Sequence, residues 1–255
     1  MSYPTVSATA RSHIGSVRTI NEDRVLNDES RRLWAVADGM GGHSRGDMAA
    51  QLVVSALARI GRDAPLTAAS IDLALRDAND EIFTLNRKVG SQSGATVAGL
   101  FFDDTSATIF WAGDSRVYRH RGGATALLTR DDRALQGMIE AGVLSAEQAR
   151  KHPRATVITR AVGATEALEL SYRREPLLTG DLFLICSDGL SDLVEQQEIE
   201  SALAGDIDEA AGTLIRRALV QGGNDNISIV IVRVDELAAA ASENSKEVPE
   251  CATRF

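Results

Sequence analysis

Cysteine is scarce in this chain: two residues in 255, Cys186 inside the apolar run Leu182-Phe183-Leu184-Ile185-Cys186 and Cys251 in a polar C-terminal stretch. One thiol in a core and one in a tail do not make a structural disulfide, and a reducing cytoplasm is the expected setting. No run approaches the roughly 20 apolar residues of a membrane-spanning helix, and no basic-then-apolar leader opens the chain. Positive charge is in deficit as well. Lys and Arg number 27 against 36 Asp and Glu, a formal charge of −9, which argues against nucleic acid and against an anionic membrane as partners. With 4 His and 2 Cys there is no matching nitrogen or sulfur ligand set, so a zinc or copper centre is disfavoured.

What the sequence does have is acid in a pattern. Five aspartates stand beside a glycine, an asparagine or a serine at the end of an apolar run. They are Asp38 in Val36-Ala37-Asp38-Gly39, Asp114 in Ala112-Gly113-Asp114-Ser115, Asp188 and Asp192 in Ser187-Asp188-Gly189-Leu190-Ser191-Asp192, and Asp225 in Asn224-Asp225-Asn226. An apolar run that stops at a carboxylate reads as a buried strand delivering charge to a sheet edge, where an unpaired anion is costly. A shared cation removes that cost, and oxygen-only ligands favour Mg²⁺, Mn²⁺ or Ca²⁺. Any one of these aspartates alone is more simply a turn or cap residue; five together point to a carboxylate-bound metal cluster.

The composition, 44% hydrophobic and 25% charged, is that of an ordinary globular protein with enough apolar surface for one large domain or two small ones. Residues 33–37, 95–102, 107–112, 182–186 and 227–234 are rich in Val, Ile, Phe and Trp and predict strands, with shorter ones at 25–26 and 117–120. Residues 47–60, 70–85 and 206–221 carry apolar side chains at helical spacing, the last stopped by Gly222-Gly223. Asp103-Asp104 and Gly122-Gly123 sit where hairpin turns belong, so consecutive strands are expected to be antiparallel in an α+β architecture. Residues 129–163 mix short helical signals, including a capping box from Ser145 to Gln148, with Gly142 and Pro153, and read as a surface excursion. Beyond about residue 235 no apolar period remains, and 237–255 is expected to be a mobile tail.

A carboxylate cluster repels phosphate unless a cation accompanies it, preferably a forked one. Arg18 stands close to the first acids, in Arg18-Thr19-Ile20-Asn21-Glu22-Asp23. With that block come Asp38-Gly39-Met40-Gly41-Gly42-His43, Ser93-Gly94-Ala95-Thr96, Gly113-Asp114-Ser115-Arg116, Ser187-Asp188-Gly189 followed by Asp192, and Asn224-Asp225-Asn226. In this order the set resembles the type 2C metal-dependent serine/threonine protein phosphatases in their compact bacterial form, over about residues 6–234.

The resemblance implies a four-layer α-β-β-α sandwich, two central antiparallel sheets flanked by helices, with a catalytic domain over 1–236 and a flap at 129–163. It implies that Asp38 bridges two Mn²⁺ or Mg²⁺ ions, that the Gly39 carbonyl, Asp188 and Asp225 complete the shell, and that Glu22 or Asp23 contacts it through water. Arg18 would grip the phosphate, the motifs offering no other obvious cation, although pairing with Glu22 at helical spacing is the plainer alternative. Asp114, with Asp188 and Asp192, matches a third, weaker metal position. The implied reaction is attack of a metal-bridging water on phosphoserine or phosphothreonine, with His43 or a second water protonating the leaving alkoxide. An exposed loop histidine is an equal reading of His43. Phosphorylated proteins, and a serine/threonine kinase whose output is reversed, are the implied partners. The flap opens with Asp131-Asp132-Arg133 where the family has an Asp-His-Ser-like run, so contacts there are expected to differ. Two rivals stand beside the phosphatase: a catalytically silent relative that binds metal or phosphoprotein, and a metal-dependent phosphodiesterase or nuclease, which suits the acidic charge poorly.

Overall fold

The computed structural model describes residues 4–41, 45–61 and 65–237. His43, Cys251 and the expected tail from residue 238 onward lie outside that range. The chain runs β1 (Thr5–His13), β2 (Asp23–Asp28), β3 (Leu33–Gly41), α1 (Gly46–Ala58), α2 (Ala68–Val89), β4 (Ser93–Ala95), β5 (Val97–Phe102), β6 (Ser106–Ala112), β7 (Arg116–Arg121) and β8 (Ala124–Leu127). It continues through α3 (Gln136–Glu140), α4 (Ala146–Arg150), β9 (Ser171–Pro176), β10 (Leu182–Cys186), α5 (Asp188–Ser191), α6 (Gln196–Leu203), α7 (Ile207–Val220) and β11 (Ile227–Glu236). Every strand pairing is antiparallel.

The strands form two sheets, ordered β1-β11-β10-β7-β8 and β2-β3-β5-β6-β9, with β4 added beside β3. Period-two alternation builds the layers. On β3, Trp34 and Val36 face the other sheet while Leu33, Ala35 and Ala37 face α1 and α2. On β11, Val230, Val232 and Val234 face inward while Ile227, Ile229 and Ile231 meet α7. Because both faces of these strands are covered, their sequences read as unbroken apolar runs. Trp34, Phe102 and Phe183 join the sheets through ring contacts with centroids 5.0 and 5.5 Å apart. The result is the α-β-β-α sandwich that the sequence implied.

The structure revises three details. The expected strand at 95–102 is broken at Thr96 into β4 and β5, both in one register on β3. The break serves Asp38: the Thr96 amide donates to its carbonyl at 2.8 Å, and the Thr96 hydroxyl lies 3.3 Å from its amide. Asp38 is therefore inside β3, three residues before its end, and not at the strand terminus. Finally, β1, β8, β9 and α6 appear where the sequence offers only short or half-polar signals.

Candidate active site

Four chain segments deliver the acids to one end of the sandwich. The β2–β3 pair places Asp23 opposite Asp38, with Glu22 immediately before it. The turn between β6 and β7 carries Asp114. The turn after β10, where α5 begins, carries Asp188 and Asp192, and the residue pair before β11 carries Asp225. The last two segments approach closely at Gly189, where a β-carbon would stand 2.0 Å from the Asn226 carbonyl oxygen. A β-carbon on Gly39 would likewise stand 2.2 Å from the Gly46 carbonyl oxygen, so glycine is what lets the end of β3 meet the start of α1.

Asn226 ties these segments together. Its amide nitrogen donates to the carbonyls of Ile14 and Ile20 at 2.9 and 3.0 Å, and its side-chain oxygen accepts from the Glu22 amide at 2.8 Å. Glu22 Oε1 in turn accepts from the Gly46 amide at 3.2 Å, a carboxylate on a helix N-terminus. Beneath them the buried Ser187 hydroxyl donates to Asp23 Oδ2 at 2.8 Å and accepts from the Ser228 amide at 3.0 Å. Asn226 and Ser187 were quoted as motif residues in the sequence, but nothing there assigned them a role.

The acids perturb one another. Burial first, then the charges of Asp23, Asp188, Asp114 and Asp225, hold the Asp38 carboxyl well above the usual range. Burial, followed by Asp114 and Asp192, pushes Asp188 up to about 8. Asp23, 2% exposed, is pushed up to about 6, burial again being the largest cause. Its Oδ1 and the Oδ1 of Asp114 are buried without a hydrogen-bond partner. The orphaned Asp23 oxygen beside a strongly perturbed Asp38 fits an oxygen-liganded divalent cation.

Two arginines answer part of this charge. Arg18 lies in an irregular segment, so it does not pair with Glu22 at helical spacing; its Nη2 donates to Asp225 Oδ2 at 2.7 Å, both side chains being partly exposed. Arg133 is the cation that sequence reasoning missed. Its Nε donates to Asp114 Oδ2 at 2.7 Å, and its Nη2 to Asp192 Oδ2 at 2.8 Å and Asp188 Oδ2 at 3.4 Å. The three acids expected around a third metal thus surround a guanidinium. Among the described residues no three His, Cys, Asp or Glu side chains form a ready coordination shell. With Arg18 on one side and Arg133 on the other, several of the carboxylates are turned toward guanidinium groups.

The root of the flap is equally anchored. Asp131 takes Arg116 in a fork at 2.9 and 2.7 Å, and Asp132 accepts from the Gly113 amide at 2.9 Å and from Arg160 at 2.5 Å. A cleft of about 460 Å³ runs beneath the flap, between Leu135 and Ile139 on one side and Val194 on the other, with Arg133 on its wall.

The sequence pattern described as Protein phosphatase 2C matches residues 9–220. The chain is 38% identical over 230 residues to the serine/threonine protein phosphatase PstP of Mycobacterium tuberculosis, an alignment covering 88% of this chain but 44% of that protein. It is 32% identical over 241 residues to the serine/threonine phosphatase stp of Listeria monocytogenes, covering 89% and 96% of the two chains. A crystal structure of the catalytic domain of PstP in complex with 2 manganese ions superposes with a TM-score of 0.83 at 35% identity, over 91% of this chain and 99% of that one. The chain therefore spans less than half the length of the mycobacterial relative.

Proposed function

The chain belongs to the protein phosphatase 2C family, and from that membership we propose that it hydrolyses phosphoserine and phosphothreonine in proteins, reversing the work of a serine/threonine kinase. The observation that carries the reading is the mutually perturbed set of buried Asp23 with half-buried Asp38 and Asp188, and Arg18 and Asp225 at its exposed margin. Asp38, Asp188, Asp225 and the Gly39 carbonyl would hold two Mn²⁺ or Mg²⁺ ions, with Glu22 and Asp23 acting through water. The chemistry such ions supply when bound is polarisation of a phosphoryl oxygen and a lowered pKa for a bridging water.

The remaining work falls to side chains. The Arg18 fork matches two phosphoryl oxygens, and because its partner Asp225 is 39% exposed the guanidinium can exchange a carboxylate for a phosphate at modest cost. Gripping the phosphate there orients phosphorus for in-line displacement, in which the water oxygen bonds to phosphorus as the ester oxygen leaves. His43 is proposed to give that oxygen its proton. The flap, fixed at its root by Asp131, Asp132 and Arg133, forms the wall along which a phosphoprotein segment would lie.

The phosphorylated substrate implies a kinase as functional counterpart, and a cytoplasmic setting follows the scarcity of cysteine. Among the described residues, no helix is long and apolar enough to cross a membrane. Phosphate release from a phosphothreonine peptide, measured in EDTA, Mg²⁺ and Mn²⁺ beside Asp38→Ala, tests the proposal. Metal-dependent release that vanishes in the variant is expected. Tight phosphopeptide binding with no release under any metal would instead favour a silent binding protein.

A further inference from the structure

Arg133 is a flap residue, 14% exposed, whose side chain reaches across to the catalytic end of the sandwich. Its guanidinium contacts Asp114, which is 2% exposed, Asp192 and Asp188, and passes 4.0 Å from Asp131. Burial works against its charge, but Asp192 and Asp114 outweigh that and raise its pKa, so the group stays cationic throughout the working range. A divalent ion among the same three carboxylates would need their oxygens at about 2.0–2.6 Å. The guanidinium nitrogens already stand 2.7 and 2.8 Å from Asp114 Oδ2 and Asp192 Oδ2, in the space such an ion would occupy.

The placement also concerns the flap. Arg133 pairs through its backbone with Ile158, so the two ends of the excursion meet at this residue. Asp188 belongs both to the proposed two-ion core and to the Arg133 contacts, which joins the flap root to the core through one side chain.

We infer that Arg133 takes the third-cation position of this chain, so that the protein binds two ions and ties its flap to Asp114, Asp188 and Asp192 with a guanidinium. The inference rests on the two-ion reading above. Its consequence is a flap whose docking does not depend on the concentration of free metal. Where a third ion could leave and release the segment, a covalently attached cation cannot.

Mn²⁺ binding to the whole chain, counted by native mass spectrometry and by titration calorimetry, tests it. The unaltered protein is expected to take two ions, and Arg133→Ser three, the third weaker and lost again when Asp114→Asn is added. Amide exchange across 133–160 is expected to be indifferent to Mn²⁺ in the unaltered protein. In Arg133→Ser it should run about tenfold faster without metal and slow again as the third ion binds, reflecting loss of a partly buried charge-assisted contact. Should Arg133→Ser fail to fold, Arg133→Gln keeps the stem and serves in its place, and the count on the unaltered protein decides by itself. Three ions in the unaltered protein, or two in both proteins, would overturn the inference and leave the phosphatase reading intact. No ion bound by either protein would overturn that reading, and this one with it.

Discussion

Asp23 and Asp38 stand directly opposite one another across the β2–β3 pair. Like charges in that relation are destabilising, and one of these residues is almost wholly buried. The geometry is a liability to a protein without metal and an asset to one that holds a divalent ion. Much of the behaviour expected of this chain follows from that opposition.

Without metal, stability should decline as pH rises. The Asp23 and Asp188 carboxyls are pushed up to about 6 and about 8, whereas an aspartate in the unfolded chain titrates near ~4. Between these values the folded state retains protons that the unfolded state has released, so their contribution is complete below ~4 and is lost as pH passes through the folded values. The Tm in EDTA is expected to fall from about pH 5 to about pH 8, and saturating Mn²⁺ to flatten the decline. A Tm in EDTA that climbs over that interval would contradict the assignment.

Asp38→Asn separates charge from shape. Removing one of two facing carboxylates should raise the metal-free Tm by a few degrees, an effect of about 1 kcal/mol. The same change should cost ~10³-fold or more in phosphate release, a few kcal/mol of transition-state stabilisation. A variant that stays active, or that melts lower in EDTA, would remove Asp38 from the centre of the site.

Arg18→Ala should act mainly on the substrate. Loss of the fork is expected to raise KM for a phosphopeptide by about tenfold or more. Because Arg18 competes for Asp225, Mn²⁺ affinity should hold steady or tighten. Weaker metal binding with an unchanged KM, read from calorimetry and initial rates, would reverse the role assigned to it.

Gly189→Ala places a β-carbon where the Asn226 carbonyl oxygen already lies 2.0 Å away. The turn bearing Asp188 and the segment bearing Asp225 must then separate. A loss of about 1–3 kcal/mol is expected, seen as a Tm lower by roughly 2–10 °C, together with weaker Mn²⁺ binding. Unchanged values of both would mean that the two segments accommodate one another more freely than their contact suggests.

How far the sequence could be read depended on burial. Strands covered on both faces, such as β10 and β11, announce themselves as continuous Leu, Ile, Val and Phe. The edge strand β9 reads Ser-Tyr-Arg-Arg-Glu-Pro, and its identity comes from pairing with β6 and from side-chain contacts such as Arg119 with Glu175 and Arg174 with Asp103. In β1 the apolar face is only Val6, Ala8 and Ala10, and the opposite face is polar, with Thr9 buried against Asp208 of α7, too weak a period-two signal to stand out. The acids were legible because each sits in a distinctive turn or motif. Arg133 was not: its partners lie 19, 55 and 59 residues away, and the fold alone brings them together. The one local clue was the unusual Asp131-Asp132-Arg133 run at the flap root.

Strand β11 is the last described strand to be synthesised, yet it lies between β1 and β10 in its sheet, with Thr5 aligned to Glu236. Until it emerges from the ribosome, two strands of that sheet have no shared neighbour, Asn226 cannot clasp Ile14, Ile20 and Glu22, and Asp225 is absent. A chain terminated before β11 thereby lacks both the clasp and one of the proposed metal ligands. Such long-range closure is slow to form. The activity proposed here is therefore expected only once β11 has closed the sheet, with no partially competent precursor before it.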